Sequence, residues 1–288
     1  AGERLYKKAQ CTAIVAVGGG SPMDVAKMIG VVVGHGGRIE RYLGADKIPG
    51  AIPPLYCLAT TYGTGSEVTP FAVLTNPKTQ NKDPVISWHI APLVGILDPE
   101  LCAALPLSVG GPTGMDALTH AIESYTNLLA NPITEALALQ AIGLIGANLR
   151  LACANDHEIR ATENMLIASM LAGMAFSQTR LGTVHAMSHP AGAQYGIHHG
   201  LANAILLPYV MEFNLPARIE KFAQIAQALG ADTNGMEIRE AAQAAVDAVW
   251  ELNGDLRIPT KLSAYGVKRV GIKRMSAAAM TSGNVTVN

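Results

Sequence analysis

The stretch Thr12-Ala13-Ile14-Val15-Ala16-Val17-Gly18-Gly19-Gly20-Ser21-Pro22-Met23, with the apolar run that continues to Val33, decides the fold. Residues 12–17 are apolar and rich in β-branched side chains without alternation, the pattern of a parallel strand covered on both faces. Three glycines, Ser21 and Pro22 then turn the chain, and residues 23–33 are apolar at helical spacing, with Pro22 suited to a first helical turn. Strand, glycine turn and helix in this order cradle an anion. Glycines let backbone approach closely, and a helix N-terminus offers free N–H groups. The turn is not the G-x-G-x-x-G fingerprint and is a weak signal alone. A second loop supports it: residues 55–61 read as another buried strand, ending in the small, hydroxyl-rich Thr60-Thr61-Tyr62-Gly63-Thr64-Gly65-Ser66-Glu67. Ligands of parallel sheets bind at the carboxyl ends of strands, where both loops would lie.

Further along, residues 71–75 read as a strand, 76–83 as a polar turn, and 94–97 as the last strand before Asp98-Pro99-Glu100. Beyond residue 100 strand signals fade, and Ala/Leu-rich helical periodicity covers 135–149, 158–176, 202–213, 217–229 and 236–252. The expected fold is α/β: a Rossmann-like parallel-sheet domain over residues 1–100, followed by an all-helical domain over 101–288. The chain opens without Met on AGERLYKKAQ, which resembles the end of a helix and runs straight into a strand. A doubly wound domain entered there lacks its first strands, so the first domain is expected to be N-terminally incomplete and the chain a fragment.

At 288 residues the chain is long enough for two domains and a sizeable core. Its 21 basic and 22 acidic residues create no field that would attract nucleic acid or an anionic membrane. Cys11, Cys57, Cys102 and Cys153 are scattered without CxxC pairs, as free thiols in a reducing compartment would be. No signal peptide and no span of about 18 apolar residues stands out. A cytoplasmic protein is expected.

Chemistry concentrates in LGTVHAMSHPAGAQYGIHHGLANAILLP, residues 181–208, where four of the eight histidines fall within fifteen residues. His185 and His189 are four apart and share a helix face, while His198 and His199 follow a glycine-bearing turn that can fold back towards them. Any one histidine could be a satisfied core residue, but the cluster points to a metal. Upstream, Asp116 and His120 are also spaced i, i+4. One carboxylate with three imidazoles makes a transition-metal site with room for a substrate atom.

GGGSPMDVAK, ATTYGTGSEVTPFAVLTN, TGMDALTHAIESY and HAMSHPAGAQYGIHHGLANAILLPYVMEFN resemble, in order and spacing, the signature segments of the iron-containing (group III) alcohol dehydrogenases, across almost the whole chain. The similarity is greatest to the branch of 1,3-propanediol, lactaldehyde and NAD-dependent methanol dehydrogenases. It implies a dehydroquinate synthase-like fold and a homo-oligomer, at least a dimer. The implied activity is hydride transfer between a short primary alcohol or diol and NAD or NADP, reversibly with the aldehyde. The metal ligands implied are Asp116, His120, His185 and His199, holding Fe(II), with Zn(II) also compatible with the donors. His189 is the implied proton relay beside the nicotinamide. The resemblance further assigns Gly19, Gly20 and Ser21 to the cofactor diphosphate with Asp24 nearby, Thr60, Thr61, Thr64 and Ser66 along the cofactor, and Lys82 reaching it. Two alternatives stand beside this reading: a metal- and NAD-dependent lyase of the dehydroquinate synthase type, and a truncated product without catalysis. Three departures from the family pattern stand out. His198 replaces a proline before the last ligand, Arg180 and Thr183 replace smaller or more apolar residues close to the metal, and Asp83 and Pro84 interrupt an expected strand after Lys82.

Overall fold

The structure, a computed structural model, describes residues 1–75, 82–154 and 158–288. A short helix α1 (Gly2–Lys8) leads into β1 (Ile14–Gly18) and the helix α2 (Gly20–His35); β2 (Gly44–Ala45) and β3 (Leu55–Ala59) follow. Next come β4 (Phe71–Thr75), β5 (Lys82–Ile86) and β6 (Val94–Ile96). β1, β3 and β6 form one parallel sheet in the order β1-β3-β6, with Ile14 opposite Leu55 and Tyr56 opposite Val94. A second small sheet has the order β2-β5-β4, in which β4 and β5 are antiparallel.

Two sequence expectations are corrected here. β1 is not covered on both faces: Ile14, Ala16 and Gly18 turn to the core, while Val15 and Val17 on the opposite face are 64% and 54% exposed. Asp83 and Pro84 do not interrupt a strand but lie within β5. Pro84 stands opposite Val73, whose N–H turns away from β5 to Asp24 Oδ2 at 2.9 Å. Opposed residues of an antiparallel pair exchange both bonds or neither, so no proline N–H is needed there. Of the expected polar turn, residues 76–81 lie outside the described residues, and Lys82 and Asp83 belong to β5.

After a short 3-10 turn at Pro99–Leu101 the chain is helical: α3 (Leu107–Thr126), α4 (Pro132–Ala154), α5 (Ile159–Thr179), α6 (Thr183–Tyr195), α7 (His199–Asn214), α8 (Ile219–Ala228), α9 (Ile238–Asp255) and α10 (Arg269–Ala279). Each expected helix is present with ends shifted by a few residues, as fraying and capping allow. α3 is the central helix, buried at every position from Gly110 to Thr126. One continuous core joins Ala16, Leu55 and Cys57 of the sheet to Met115, Leu118 and Ile122 of α3 and to Ile142, Met165, Ile205 and Val249 of the outer helices. By length and composition α4 could cross a membrane, at mean hydropathy 1.5, which the sequence reading did not single out. It packs against α3, α5 and α8, and its Glu135 pairs with Lys221 at 2.8 Å and its Arg150 with Asp255 at 2.6 Å. All four cysteines are free.

Candidate metal centre and cofactor loops

Three helices converge on one point, each presenting polar side chains one turn apart on a single face. α3 brings Asp116 and His120, α6 brings His185 and His189, and α7 begins at His199. The approach of α7 to α3 depends on Gly200, where a β-carbon would lie 2.3 Å from the Pro112 carbonyl oxygen. Asp116 Oδ1 is 3.9 Å from His120 Nε2, 3.8 Å from His185 Nε2 and 3.7 Å from His199 Nε2, and all four donor atoms lie within 4.8 Å of one another. Donors bonded to one ion at about 2.1 Å in a tetrahedron stand about 3.4 Å apart, so the set fits a divalent metal after small side-chain movements. Asp116, His120 and His185 are buried, whereas the His199 side chain is 36% exposed, so the cluster opens on the His199 side.

The remaining contacts orient the lone pairs. His120 Nδ1 donates to the Gly63 carbonyl at 3.1 Å and His185 Nδ1 donates to Glu123 Oε2 at 2.6 Å. Both rings therefore turn an unprotonated Nε2 to the common point, the usual role of an outer hydrogen-bond partner at a metal site. Glu123 also accepts the N–H groups of Gly182 at 2.8 Å and Val184 at 2.6 Å, holding the start of α6. Burial raises its carboxyl to about 7, against the pull of these N–H donors. Sequence reasoning passed over Glu123. Its place three residues after His120 and seven after Asp116, on their helix face, was the available signal. The His120 ring lies 4.7 Å from His185 in a stack and 4.5 Å from Phe176, which in turn contacts Phe71 of β4.

Burial would raise the Asp116 carboxyl, but His120, His199 and His185 outweigh it and hold the group below its ordinary value. His185 is pushed well below the usual imidazole range by burial and by His120 and His199, and His199 is lowered chiefly by burial. His189 lies with its ring 5.3 Å from His199 and 6.0 Å from His185. Burial, then His199, His185 and Lys82, lower it well below the near-neutral value of a free histidine. His198 is exposed at the N-terminal cap of α7 and is not among the four converging residues. Arg180 is likewise exposed, capping α5 with φ at 67°, a conformation costly for a side chain larger than glycine. Thr183 turns its N–H to Asn288 Oδ1.

The two loops meet at the carboxyl ends of β1 and β3, where Thr60 N donates to the Gly18 carbonyl at 3.0 Å. Gly19 caps α2 and Gly20 opens it. A β-carbon on Gly19 would stand 2.9 Å from Thr61 Oγ1, and one on Gly20 3.0 Å from Thr64 Cγ2, so bare backbone lets the loops close on each other. Ser21 is exposed beside them. Asp24 and Ser66 turn inward instead: Ser66 Oγ donates to Asp24 Oδ1 at 3.1 Å, and Lys27 Nζ donates to Ser66 Oγ at 3.1 Å and to the Phe71 carbonyl at 2.6 Å. Sequence reasoning assigned Lys27 no role, yet this fully buried amine, lowered by burial to about 8, ties α2 to the second loop and β4. Lys82 bears electrostatically on both Asp24 and His189.

The loops at the strand ends thus lie beside a buried carboxylate–imidazole cluster, at the junction of sheet and helices. The sequence matches the family "Iron-containing alcohol dehydrogenase" over residues 1–99 and "Fe-containing alcohol dehydrogenase family, C-terminal" over residues 112–288, and the chain belongs to the iron-containing alcohol dehydrogenases. It is 46% identical to 1,3-propanediol dehydrogenase of Citrobacter freundii, over 100% of this chain and 74% of that protein. It is 42% identical to NAD-dependent methanol dehydrogenase of Bacillus methanolicus, over 96% and 73%. Among solved structures, that of 1,3-propanediol oxidoreductase superposes with a TM-score of 0.97 at 44% identity, covering 99% of this chain and 75% of that one. The chain thus spans about three quarters of the length of these relatives.

Proposed function

We propose that this chain oxidises short primary alcohols or diols, and reduces the corresponding aldehydes, with NAD or NADP as hydride partner. A divalent metal, iron or zinc, is held by Asp116, His120, His185 and His199. The convergence of the Asp116 oxygen and three imidazole nitrogens within 4.8 Å carries this reading. When bound, the metal supplies electrophilic pull on the substrate oxygen. The other roles fall to the chain's own groups. Glu123 and the Gly63 carbonyl keep His185 and His120 in the tautomer that points Nε2 inward. Gly19, Gly20 and Ser21 bind the diphosphate with backbone N–H groups at the start of α2, and Thr60, Thr61 and Thr64 line the cofactor. Asp24 and Ser66 hold the two loops in register. His189, kept neutral by burial, accepts on a ring nitrogen the proton released by the substrate hydroxyl, and Lys82 beside it favours that neutral form. The four free thiols accord with a cytoplasmic setting.

The test is metal content and NADH-dependent reduction of a short aldehyde by the chain and its variants. His185→Ala and His199→Ala are expected to lose metal and turnover together, and His189→Ala to keep the metal while losing about 10²-fold or more in rate. Full metal content in His185→Ala would overturn the ligand set.

A further inference from the structure

Two helices of this chain end in the same backbone turn. α2 ends on Gly36 with φ at 68° and ψ at −165°, and α5 ends on Arg180 with φ at 67° and ψ at −169°. In each, the N–H of that residue donates to a carbonyl one turn back, that of Val32 or of Phe176, at 2.9 Å. Such a backbone is open to glycine and costly for any residue with a β-carbon. Strain of this kind gathers at ligand clamps and active sites, where the strained residue has a use.

Arg180 opens the link between two helices that border the cluster. Phe176, one turn before it, lays its ring 4.5 Å from that of His120, and His185 follows at the start of α6. The guanidinium lies against the terminal turn of the chain, with Nη1 3.9 Å from where a β-carbon of Gly283 would stand. It meets no carboxylate there. Glu123, which takes the nearby Gly182 N–H, has both oxygens committed to Gly182, Val184 and His185, and no acidic residue follows Asp255 in the sequence. Among the described residues no ion pair or hydrogen bond holds the guanidinium, and Arg180 is exposed. A planar fork of N–H donors left free fits a carboxylate through two parallel bonds. We propose that Arg180 is a specificity residue that holds a carboxylate at the far end of the substrate. The chain then favours short ω-hydroxy acids and ω-oxo acids over neutral alcohols and aldehydes of the same length. The inference rests on the dehydrogenase reading above and narrows its substrate class.

The test compares 4-oxobutanoate with butanal, aldehydes of equal length that differ by the carboxylate, in NADH-dependent reduction by the metal-loaded chain. In the wild type kcat/KM is expected to favour 4-oxobutanoate by about 10–100-fold, and the preference to vanish in both Arg180→Gly and Arg180→Leu. The two variants part in stability: glycine relieves the turn and raises the folding equilibrium constant about 5-fold or more, whereas leucine does not. Binding is read separately, as greater protection against thermal unfolding by 4-hydroxybutanoate than by 1-butanol, expected in the wild type and lost in both variants. Equal kcat/KM for the two aldehydes in the wild type, or a preference that survives in Arg180→Leu, would overturn the inference. So would an Arg180→Gly chain no more stable than the wild type, since the arginine would then carry no strain to account for. Turnover of neither aldehyde with that protection intact would defeat the dehydrogenase reading alone; turnover of neither without protection would defeat both.

Discussion

Glu123→Gln replaces one oxygen of a carboxylate that satisfies three donors. In the native arrangement Oε2 takes Gly182 N–H at 2.8 Å and His185 Nδ1–H at 2.6 Å, and Oε1 takes Val184 N–H at 2.6 Å. Glutamine keeps a single acceptor oxygen. Placed at the Oε2 position, that oxygen preserves two of the bonds and sets its NH₂ against the Val184 N–H; the opposite placement sacrifices two. The better arrangement therefore loses one buried hydrogen bond and opposes two donors, a cost of about 1–3 kcal/mol in folding stability. The surviving bond to His185 loses its charge assistance, so Nε2 becomes less basic and metal affinity falls about 10–100-fold. Stability is read by denaturant unfolding with a chelator present, and affinity by metal competition, both at pH 8. That pH lies above the value of about 7 to which burial raises the Glu123 carboxyl. Lower stability with unchanged affinity would mean that Glu123 only anchors the start of α6. No change in either would refute the argument from its contacts altogether.

Lys27 makes stability depend on pH. Its folded value of about 8, against 10.5 for a free lysine, means that above pH 8 the folded chain has lost a proton the unfolded chain keeps, so stability rises with pH. From pH 8 to 9 the amine's own gain is on the order of 1 kcal/mol and is read as the difference between the wild type and Lys27→Met, because the raised carboxyl of Glu123 and the raised thiols of Cys57 and Cys102 oppose it in both over the same range. Equal slopes of stability against pH for the wild type and Lys27→Met between pH 7 and 9, measured by urea unfolding, would count against the buried amine. His198→Pro is expected to be neutral or to stabilise by about 0.4–1 kcal/mol, because His198 already has φ at −55°, within proline's range, and exposes its ring. Loss of metal in that variant would show that His198 contributes to the site.

Which residues could carry the chemistry was legible in the chain itself, because the relevant rules are local. The i, i+4 spacings of Asp116/His120 and His185/His189 place each pair on one helix face whatever surrounds them, and Gly18 to Ser21 after an apolar run announces a strand–turn–helix unit. Lys27 and Glu123 went unread for one physical reason. Each acts through partners distant in sequence, Ser66 and Phe71 for the one and Gly182 to His185 for the other. Nothing near Lys27 distinguishes a buried, committed charge from a solvated one, and for Glu123 only its place on the helix face of Asp116 and His120 does. The same holds for Pro84, whose tolerance in β5 depends on where Val73 sends its N–H.

Periodicity and spacing alone determined the α/β-then-helical order and the two strand-end loops, and marked residues 185–199 as the histidine-rich stretch; spacing also placed His198 in that group, which the structure leaves outside the four converging residues. Only tertiary structure decided that Asp24 and Ser66 face each other, that His189 titrates well below neutrality, and that Arg180 closes α5 in a turn suited to glycine. Helix spacing fixes a face through the geometry of 3.6 residues per turn, but which faces meet, and which polar atoms lose water there, is set by the packing of α3, α6 and α7 around a single point.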